Sequence, residues 1–120
     1  MSNTPAPAPK VSVILSTYNR ASLLPQAIDS IVSQTLKDWE LIIIDDGSTD
    51  STPEIVRGFM QRDSRIFYCR HTSNRGAARA RNTGLAHVRG TYVAFQDDDD
   101  VSHPERLRKQ ADYLDTHPQV

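Results

Sequence analysis

The chain has 120 residues, with 14 Lys and Arg side chains against 15 Asp and Glu and a formal net charge of −1. This length corresponds to one domain, and the balanced charge argues against a nucleic-acid partner held by bulk electrostatic attraction. The single Cys69 excludes an internal disulfide, and no apolar run approaches the roughly 18 residues that a membrane-spanning helix needs. We therefore expect a cytoplasmic location, with membrane association left open for a longer parent chain.

The first part of the chain predicts a tail, a strand and a helix. Residues 1–9 are rich in Pro and Ala, and we predict that they are disordered because this composition cannot form a packed core. The apolar segment from Val11 to Ser16 predicts the first strand. Apolar residues then recur at the spacing of one helix face, with Ser22 as the predicted N-cap. The residues of that face are Leu24, Ala27, Ile28, Ile31 and Val32.

A second strand and helix follow the same order. The segment from Leu41 to Ile44 is a continuous apolar run, which is typical of a strand covered on both faces in a parallel sheet. Ser51 and Glu54 have the spacing of a capping box, which predicts a helix that continues to about Gln61. The remaining strands are predicted over residues 65–70 and 91–96.

Two further helices complete the pattern. The third opens at Asn74-Arg75-Gly76, and its small residues allow close packing against the sheet. Those small residues are Ala77, Ala80 and Gly84. The fourth starts at Pro104, and its apolar residues are Leu107, Ala111 and Leu114. Alternation of strands and helices predicts an α/β fold, with a parallel sheet of about four strands flanked by helices.

Polar clusters follow three of the predicted strands. They are Ser16-Thr17-Tyr18-Asn19, Asp45-Asp46-Gly47-Ser48 and Asp97-Asp98-Asp99-Asp100. In parallel α/β sheets, ligands bind beyond the carboxyl ends of the strands, near the point where the strand order reverses. We therefore expect the three clusters to converge on one crevice.

The four consecutive carboxylates from Asp97 to Asp100 need something to offset their repulsion. Mg²⁺ and Mn²⁺ prefer oxygen ligands, and Mg²⁺ is often held by one or two carboxylates together with substrate phosphates. The residues alone leave an alternative open, which is a solvated acidic loop in which Asp100 or Ser102 caps the following helix.

The residues of the other clusters can also be interpreted in two ways, as ligand-binding residues or as ordinary surface residues. Asp46 follows a buried strand, where a carboxylate can accept hydrogen bonds from a base or a ribose, and Tyr18 offers a flat face for a base. The alternative interpretation of Tyr18, equally consistent with the sequence, is an exposed residue at the end of the strand. Five arginines are concentrated in one segment, where they suit a diphosphate or form a solvated surface. They are Arg70, Arg75, Arg79, Arg81 and Arg89.

Taken together, these segments resemble the family 2 glycosyltransferases, inverting enzymes with the Rossmann-like GT-A fold. The resemblance covers residues 10–118 and rests on VSVILSTYNR, on SIVSQTLKDWELIIIDDGSTDSTPEIV and on NRGAARARNTGLAHVRGTYVAFQDDDDVSHPERL. It implies transfer of a sugar from a nucleoside-diphosphate sugar, with a UDP-sugar as the expected donor, to a hydroxyl of an acceptor glycan, lipid or polymer. Residues 10–120 would be the nucleotide-sugar-binding part of the domain.

The resemblance also assigns roles to individual residues. It implies that Ser16 and Tyr18 cradle the nucleotide and that Asp46 contacts the base. The family's DxD motif matches Asp97-Asp98-Asp99, which implies that Asp99 ligates Mg²⁺ or Mn²⁺. Asp97 or Asp98 then reaches the ribose or a metal-bound water, and the extra carboxylate at position 98 leaves that choice open. Arg81 and Asn82 match an "ARN" segment near the phosphates or the donor sugar.

The family's catalytic domain is about twice as long as this chain, and its second half carries the acceptor site and the general base. The expectation is therefore a donor-binding half-domain that does not transfer sugar by itself and is prone to self-association through exposed apolar surface. Two other readings are a non-catalytic module that binds a nucleotide sugar and a domain that serves assembly alone.

Overall fold

The computed structural model describes residues 7–119, in which four strands alternate with four helices. The strands are β1 (Val11–Thr17), β2 (Trp39–Asp45), β3 (Ile66–Arg70) and β4 (Tyr92–Asp97). The helices are α1 (Leu24–Val32), α2 (Thr52–Arg62), α3 (Ala77–Leu85) and α4 (Arg106–Thr116). Every predicted strand and helix is present, with small shifts at the boundaries.

The four strands form one parallel sheet in the order β3-β2-β1-β4. The chain builds the sheet outward from β1 to β2 and β3, and then crosses back to place β4 on the other side of β1. The strand order therefore reverses at β1, and the carboxyl ends of β2, β1 and β4 lie side by side. This arrangement confirms the predicted α/β class and locates the crevice in which such sheets bind ligands.

The larger core cluster lies between the sheet and the layer formed by α1, α2 and α4. Alternate strand residues such as Val13 and Leu15 enter it, because successive side chains of a strand point to opposite faces. The buried helix residues of this cluster are Leu24, Ala27, Ile28, Ile31, Val56, Phe59, Leu107 and Ala111. The apolar faces predicted for α1 and α4 thus hold these two helices against the sheet, and Val56 and Phe59 do the same for α2.

Among the helices of residues 7–119, α3 is the one that packs on the opposite face of the sheet. Ile42, Ile44 and Ala80 form its buried cluster. Gly84 lies so close to β1 that a Cβ atom there would be 2.6 Å from Ile14 Cγ2. The small residues of this helix therefore permit the close approach that the sequence predicts, and they bring the start of α3 beside the carboxyl ends of the strands.

The predicted helix caps are wrong in detail. The residue that precedes α1 is Leu23 rather than Ser22, and it makes no side-chain cap. Ser51 does occupy the N-cap of α2, but its side chain makes no capping bond. Asp50 Oδ1 instead accepts the backbone N–H of Thr52 at 3.0 Å and the Thr52 hydroxyl at 2.6 Å. The capping box fails because the neighbouring carboxylate already satisfies the start of the helix.

The remaining sequence predictions concern the N-terminal tail and membrane-spanning helices. Residues 1–6 of the predicted disordered tail lie outside the described residues, whereas residues 7–9 have no regular secondary structure and Pro9 is buried. The disorder of residues 1–9 stays a prediction. Within residues 7–119, no helix combines the length and the apolar character needed to cross a membrane.

Candidate functional site

A cleft of about 470 Å³ opens at the carboxyl ends of β1, β2 and β4, beside the start of α3. All seven residues that the sequence analysis selects line it, namely Ser16, Tyr18, Asp46, Arg81, Asp97, Asp98 and Asp99. The other lining residues are Thr17, Arg20, Asn74, Gly76, Ala77 and Ala80. The three strand-end clusters therefore meet in one crevice, while the ligand role of each residue stays a prediction.

Hydrogen bonds join the loop after β1 to the loop after β2. The side-chain oxygen of Asn19 accepts the backbone N–H of Thr49 at 2.7 Å, and the backbone N–H of Asn19 donates to Ser48 Oγ at 2.9 Å. Asn19 has a φ of 51°, a conformation that asparagine tolerates better than most residues. This bracing fixes the rim that carries Ser16 and Tyr18, and it leaves the Tyr18 side chain 41% exposed over the cleft.

The two carboxylates at the end of β2 have different surroundings. Asp45 is fully buried and accepts the backbone N–H of Ser48 at 2.8 Å and the hydroxyl of Tyr68. Asp45 therefore holds the turn that follows the strand. Asp46 turns instead toward the cleft, as the resemblance implies for the second acid of this pair.

The Asp46 carboxylate is buried and held by three hydrogen bonds. Its Oδ1 lies 2.8 Å from His71 Nδ1 and accepts the backbone N–H of Arg75 at 2.9 Å, and its Oδ2 accepts the backbone N–H of Gly76 at 2.8 Å. Burial by itself would raise the pKa of Asp46, but these hydrogen bonds outweigh it and hold the pKa below the usual range. Asp46 is therefore an ionised acceptor fixed at the edge of the cleft.

The loop after β2 packs directly against the loop after β3 at Gly47. This residue has a φ of +89°, and a Cβ atom there would lie 2.9 Å from the backbone carbonyl carbon of Ser73. Only glycine fits both the conformation and the contact. Gly47 therefore allows the turn after β2 to pack against this loop, and Asn74, the next residue after Ser73, lines the cleft.

The acidic run folds into a tight turn at the end of β4. The backbone N–H of Asp100 donates to the Asp97 carbonyl at 3.2 Å. Gln96 steadies the turn by donating to the Asp100 carbonyl at 2.8 Å, and Arg106 donates to Gln96 Oε1 at 2.9 Å. As a result, carboxylate oxygens of Asp97, Asp99 and Asp100 lie within 4.8 Å of one another.

These three exposed carboxylates fit a hard divalent cation. They offer oxygen ligands only, which is the donor set that Mg²⁺ and Mn²⁺ prefer, and they leave room for water and phosphate oxygens. The predicted metal ligand Asp99 belongs to this group, and so does Asp97. The predicted capping of α4 by Asp100 or Ser102 is wrong, since the N-cap is Glu105 and the backbone N–H of Leu107 in the first turn donates to Gln34 Oε1 at 3.0 Å.

Asp98 lies apart from the other three acids. Asp98 is only 9% exposed, and this burial raises the pKa of its carboxyl group. The nearby Arg20 guanidinium lowers that pKa, but by less than burial raises it. Arg20 Nε lies 3.7 Å from Asp98 Oδ1, and Arg20 Nη1 donates to Asp99 Oδ2 at 3.1 Å. The cleft therefore contains a cation of its own beside the acidic turn.

Sequence reasoning missed both Arg20 and His71 as parts of the site. The four histidines of the chain lack the spacing of a zinc site, so His71 carries no local signal, and Arg20 stands 79 positions before its partner Asp99. The available signals were a cation directly after the first strand-end cluster and a histidine directly after the third strand. Their partners become evident only once the strands are placed side by side.

The five arginines that are concentrated in one segment of the sequence lie in different places in the structure. Arg81 lines the cleft, whereas Arg75 and Arg79 line a separate polar depression on the other side of α3. Arg70 donates to the Ser48 carbonyl at 2.6 Å, and Arg89 pairs with Glu40 at 3.1 Å. Among the five, only Arg81 is therefore placed to reach a ligand in the cleft.

A four-stranded parallel sheet with helices on both faces and an acid-lined cleft at its carboxyl edge defines a Rossmann-like domain of the GT-A type. The sequence matches the family described as "Glycosyl transferase family 2" over residues 12–120. The chain therefore belongs to glycosyl transferase family 2.

Individual relatives agree with this membership. The chain is 44% identical over 110 residues to EpsE of Bacillus subtilis (strain 168), a protein assigned as a glycosyltransferase, and the match covers 91% of this chain and 40% of EpsE. A structure of S. aureus TarS in complex with UDP-GlcNAc is 31% identical with a TM-score of 0.84, and the match covers 90% of this chain and 32% of that one. The chain thus spans well under half of either protein.

A second structural relative carries a different nucleotide sugar. The mannosyltransferase PcManGT from Pyrobaculum calidifontis, solved with GDP-Man and Mn²⁺, is 32% identical with a TM-score of 0.82. The match covers 89% of this chain and 32% of that chain. Among these relatives, the shared fold therefore binds both a uridine and a guanosine nucleotide sugar.

Proposed function

We propose that the cleft binds the nucleoside diphosphate of a UDP-sugar and that the whole protein transfers the sugar to an acceptor hydroxyl with inversion. The observation that carries this proposal is the convergence of Ser16, Tyr18, Asp46, Arg81 and the acidic turn in one crevice. Nucleotide sugars in the TarS and PcManGT structures support the same class of ligand. A cytoplasmic location belongs to this proposal as well.

The hydrogen bonding of Asp46 favours uracil as the base. An ionised carboxylate has about four acceptor positions, and three of those on Asp46 are used by protein N–H groups. One position on Oδ2 is left, which suits the single N3–H that uracil presents between two carbonyl groups. Guanine presents two adjacent donor groups and would leave one of them without a partner, at a cost in affinity. Tyr18 supplies the face on which the base stacks.

The acidic turn suits the diphosphate end of the same ligand. Asp99, with Asp97 and Asp100 nearby, would hold Mg²⁺ or Mn²⁺, and Asp97 or Asp98 would contact the ribose or a metal-bound water. A bound cation would neutralise the charge that develops on the departing diphosphate. Arg81 lies on the α3 side of the cleft, where its guanidinium can approach a phosphate oxygen.

The general base and the acceptor site are proposed to lie in the part of the whole protein that these 120 residues do not include. The matched segment is only 40% of EpsE, which leaves a long remainder in that relative. We expect the chain by itself to bind donor without transferring sugar. Metal-dependent transfer by the purified chain would contradict this division of roles.

Calorimetric titration of UDP, with and without Mn²⁺, tests the proposal. We expect UDP binding that depends on Mn²⁺ and a higher affinity for UDP than for GDP when GDP is added as a competitor. We also expect Asp99→Ala to lose most of the affinity for UDP. Asp112→Ala, which removes an exposed carboxylate from α4, is the matched control and is expected to leave binding unchanged. Equal affinity with and without Mn²⁺, or no effect of Asp99→Ala, would remove the acidic turn from the site.

A further inference from the structure

The imidazole of His71 links the ends of two strands to α3. The backbone N–H of His71 donates to the Asp45 carbonyl at 2.8 Å, which continues the ladder beyond β3. Its Nδ1 lies 2.8 Å from Asp46 Oδ1, and its Nε2 lies 2.9 Å from Thr83 Oγ1 on α3. The side chain is only 10% exposed. Both ring nitrogens are therefore engaged, and the ring has no freedom to rotate without breaking a bond.

His71 is the only side chain among the three groups that bond to Asp46. The other two are backbone N–H groups, of Arg75 and Gly76. Two bonds reach Oδ1 and one reaches Oδ2, so the unused acceptor position belongs to Oδ2. Without His71, Oδ1 would regain an open position and the buried carboxylate would be free to turn.

We propose that His71 is a positioning residue that fixes the rotation of the Asp46 carboxylate so that Oδ2 presents the single open acceptor to the nucleotide base. This inference rests on the proposed function and adds to it a determinant of base recognition outside the cleft. Thr83 holds the far side of the ring, so α3 and the base-binding carboxylate are connected through one imidazole.

The network dictates which nitrogen of His71 carries a proton. An ionised carboxylate only accepts hydrogen bonds, so Nδ1 must be the donor to Asp46. Nε2 then accepts from the Thr83 hydroxyl in the neutral ring, or donates to it in the charged ring while that hydroxyl turns to the Arg79 carbonyl 3.0 Å away. The charged groups around the ring are Asp46, Arg75 and Arg79. In either charge state, Nδ1 retains its proton.

Imidazole ¹⁵N NMR of the wild-type chain tests this geometry without any ligand. We expect His71 to show a protonated Nδ1 at neutral pH, whereas exposed neutral histidines favour the proton on Nε2. In Asp46→Asn we expect that preference to be lost. A His71 ring with its proton on Nε2 and none on Nδ1 would overturn the proposal, whatever the chain binds.

Three substitutions then test the link to binding, by titration of UDP in the presence of Mn²⁺. His71→Leu removes the donor to Asp46 and is expected to weaken UDP binding roughly tenfold. His71→Asn keeps an N–H donor close to the position of Nδ1 and is expected to restore affinity to within about threefold of wild type. Thr83→Val removes only the support on Nε2 and is expected to have an intermediate effect.

Controls separate this proposal from folding defects and from the proposed function. His87→Asn changes an exposed histidine outside the cleft and is expected to leave UDP binding unchanged. Binding of Mn²⁺ alone is expected to be the same in all these variants, since the acidic turn does not touch His71. If His71→Asn binds UDP as weakly as His71→Leu, the positioning role is wrong. Failure of the wild type to bind UDP would overturn the proposed function, while the ¹⁵N result would still decide the geometry.

Discussion

Arg20 occupies the position next to the acidic turn that a divalent cation would approach. Its side chain is 48% exposed and contacts both Asp98 and Asp99. Half-exposed ion pairs of this kind contribute about 0–1 kcal/mol, because water and salt screen them and long side chains lose entropy. The guanidinium is therefore a weak partner that a metal ion with its diphosphate can displace.

Removal of Arg20 is expected to strengthen metal binding in the absence of nucleotide. Arg20→Ala frees Asp99 and deletes a nearby positive charge, so the affinity for Mn²⁺ alone should rise roughly two- to fivefold. Electron paramagnetic resonance of free Mn²⁺ during a titration measures this directly. Arg57→Ala on α2 removes the same charge outside the cleft and should leave the affinity unchanged. Weaker Mn²⁺ binding in Arg20→Ala would show that Arg20 supports the site rather than competing for it.

Asp63 provides a pH-dependent contribution to stability. Its carboxylate accepts hydrogen bonds from Arg65 Nε at 2.9 Å and Arg65 Nη2 at 2.7 Å, and these bonds lower the pKa of Asp63 from its ordinary 3.8. The same guanidinium lies 3.7 Å from the centre of the Trp39 ring. Because the folded pKa is the lower one, this stabilisation is present above the unfolded pKa and disappears as the pH falls through the folded pKa.

Asp63→Asn is therefore expected to lower the free energy of unfolding by about 1 kcal/mol at neutral pH. The difference from wild type should shrink as the pH falls below about 4, where the unfolded carboxyl group becomes protonated. Urea denaturation at a series of pH values measures this. Asp29→Asn, at an exposed position of α1, should show no such trend. A constant difference at every pH would assign the loss to packing instead.

The sequence predicts the cleft-lining acids but not the residues that hold them. Asp46 and Asp99 follow apolar strands directly, so the rule for parallel sheets places them at the crevice. Arg20 and His71 depend on partners from other loops, and no local pattern reveals those partners. The capping box of α2 failed for a related reason, because Asp50 is shared between the start of α2 and the Ala21 backbone N–H at 3.0 Å, a contact between loops.

At the scale of elements, α3 is placed by glycine and alanine rather than by large apolar residues. Ala80 and Gly84 bring its axis close to β1 and β2, and the same helix carries Arg81 into the cleft. The strands are readable from their short apolar runs, which are buried almost throughout in β1 and β2, and α1 and α4 are readable from their periodic apolar faces. The seating of α3 depends on the volume available above Ile14, which only the assembled sheet defines.

Two glycine-to-alanine substitutions test the seating of α3 against simple helix propensity. Gly84→Ala would place its Cβ 2.6 Å from Ile14 Cγ2, so we expect a loss of about 1–3 kcal/mol from overpacking despite better propensity. Gly58→Ala on α2 has nothing within 4 Å of the new Cβ, and we expect a gain of about 0.5–1 kcal/mol. Chemical denaturation of both variants measures the difference. Stabilisation by Gly84→Ala would mean that α3 is not packed as closely as described.

At the scale of the whole molecule, the sheet has two edge strands with exposed apolar side chains. Val93 and Phe95 of β4 are 38% and 46% exposed, and Phe67 of β3 is 44% exposed. The pattern of apolar runs predicts the number of strands but not their order, because parallel strands of similar composition carry no local mark of their neighbours. The placement of β4 beside β1 is therefore a result of the structure, and it determines which edge is open.

The open edge of β4 is expected to cause self-association. Within residues 7–119 its outer side has no partner strand, and Tyr113 of α4, 54% exposed, extends the same apolar surface. Unpaired edges with exposed apolar residues favour strand pairing between copies, and lysine on such an edge opposes it. Sedimentation velocity should show a sedimentation coefficient that rises with concentration for the wild type and stays constant for the double variant Val93→Lys with Phe95→Lys.

Phe67→Lys on the opposite edge distinguishes β4 from apolar exposure in general. It adds the same charge to a comparably exposed side chain on β3, and we expect it to leave most of the association intact. If Phe67→Lys abolishes association and the β4 variant does not, copies meet through the β3 edge. A wild-type chain that stays monomeric at every concentration would show that neither edge pairs, and then the twist of the sheet and the flanking charges protect both strands.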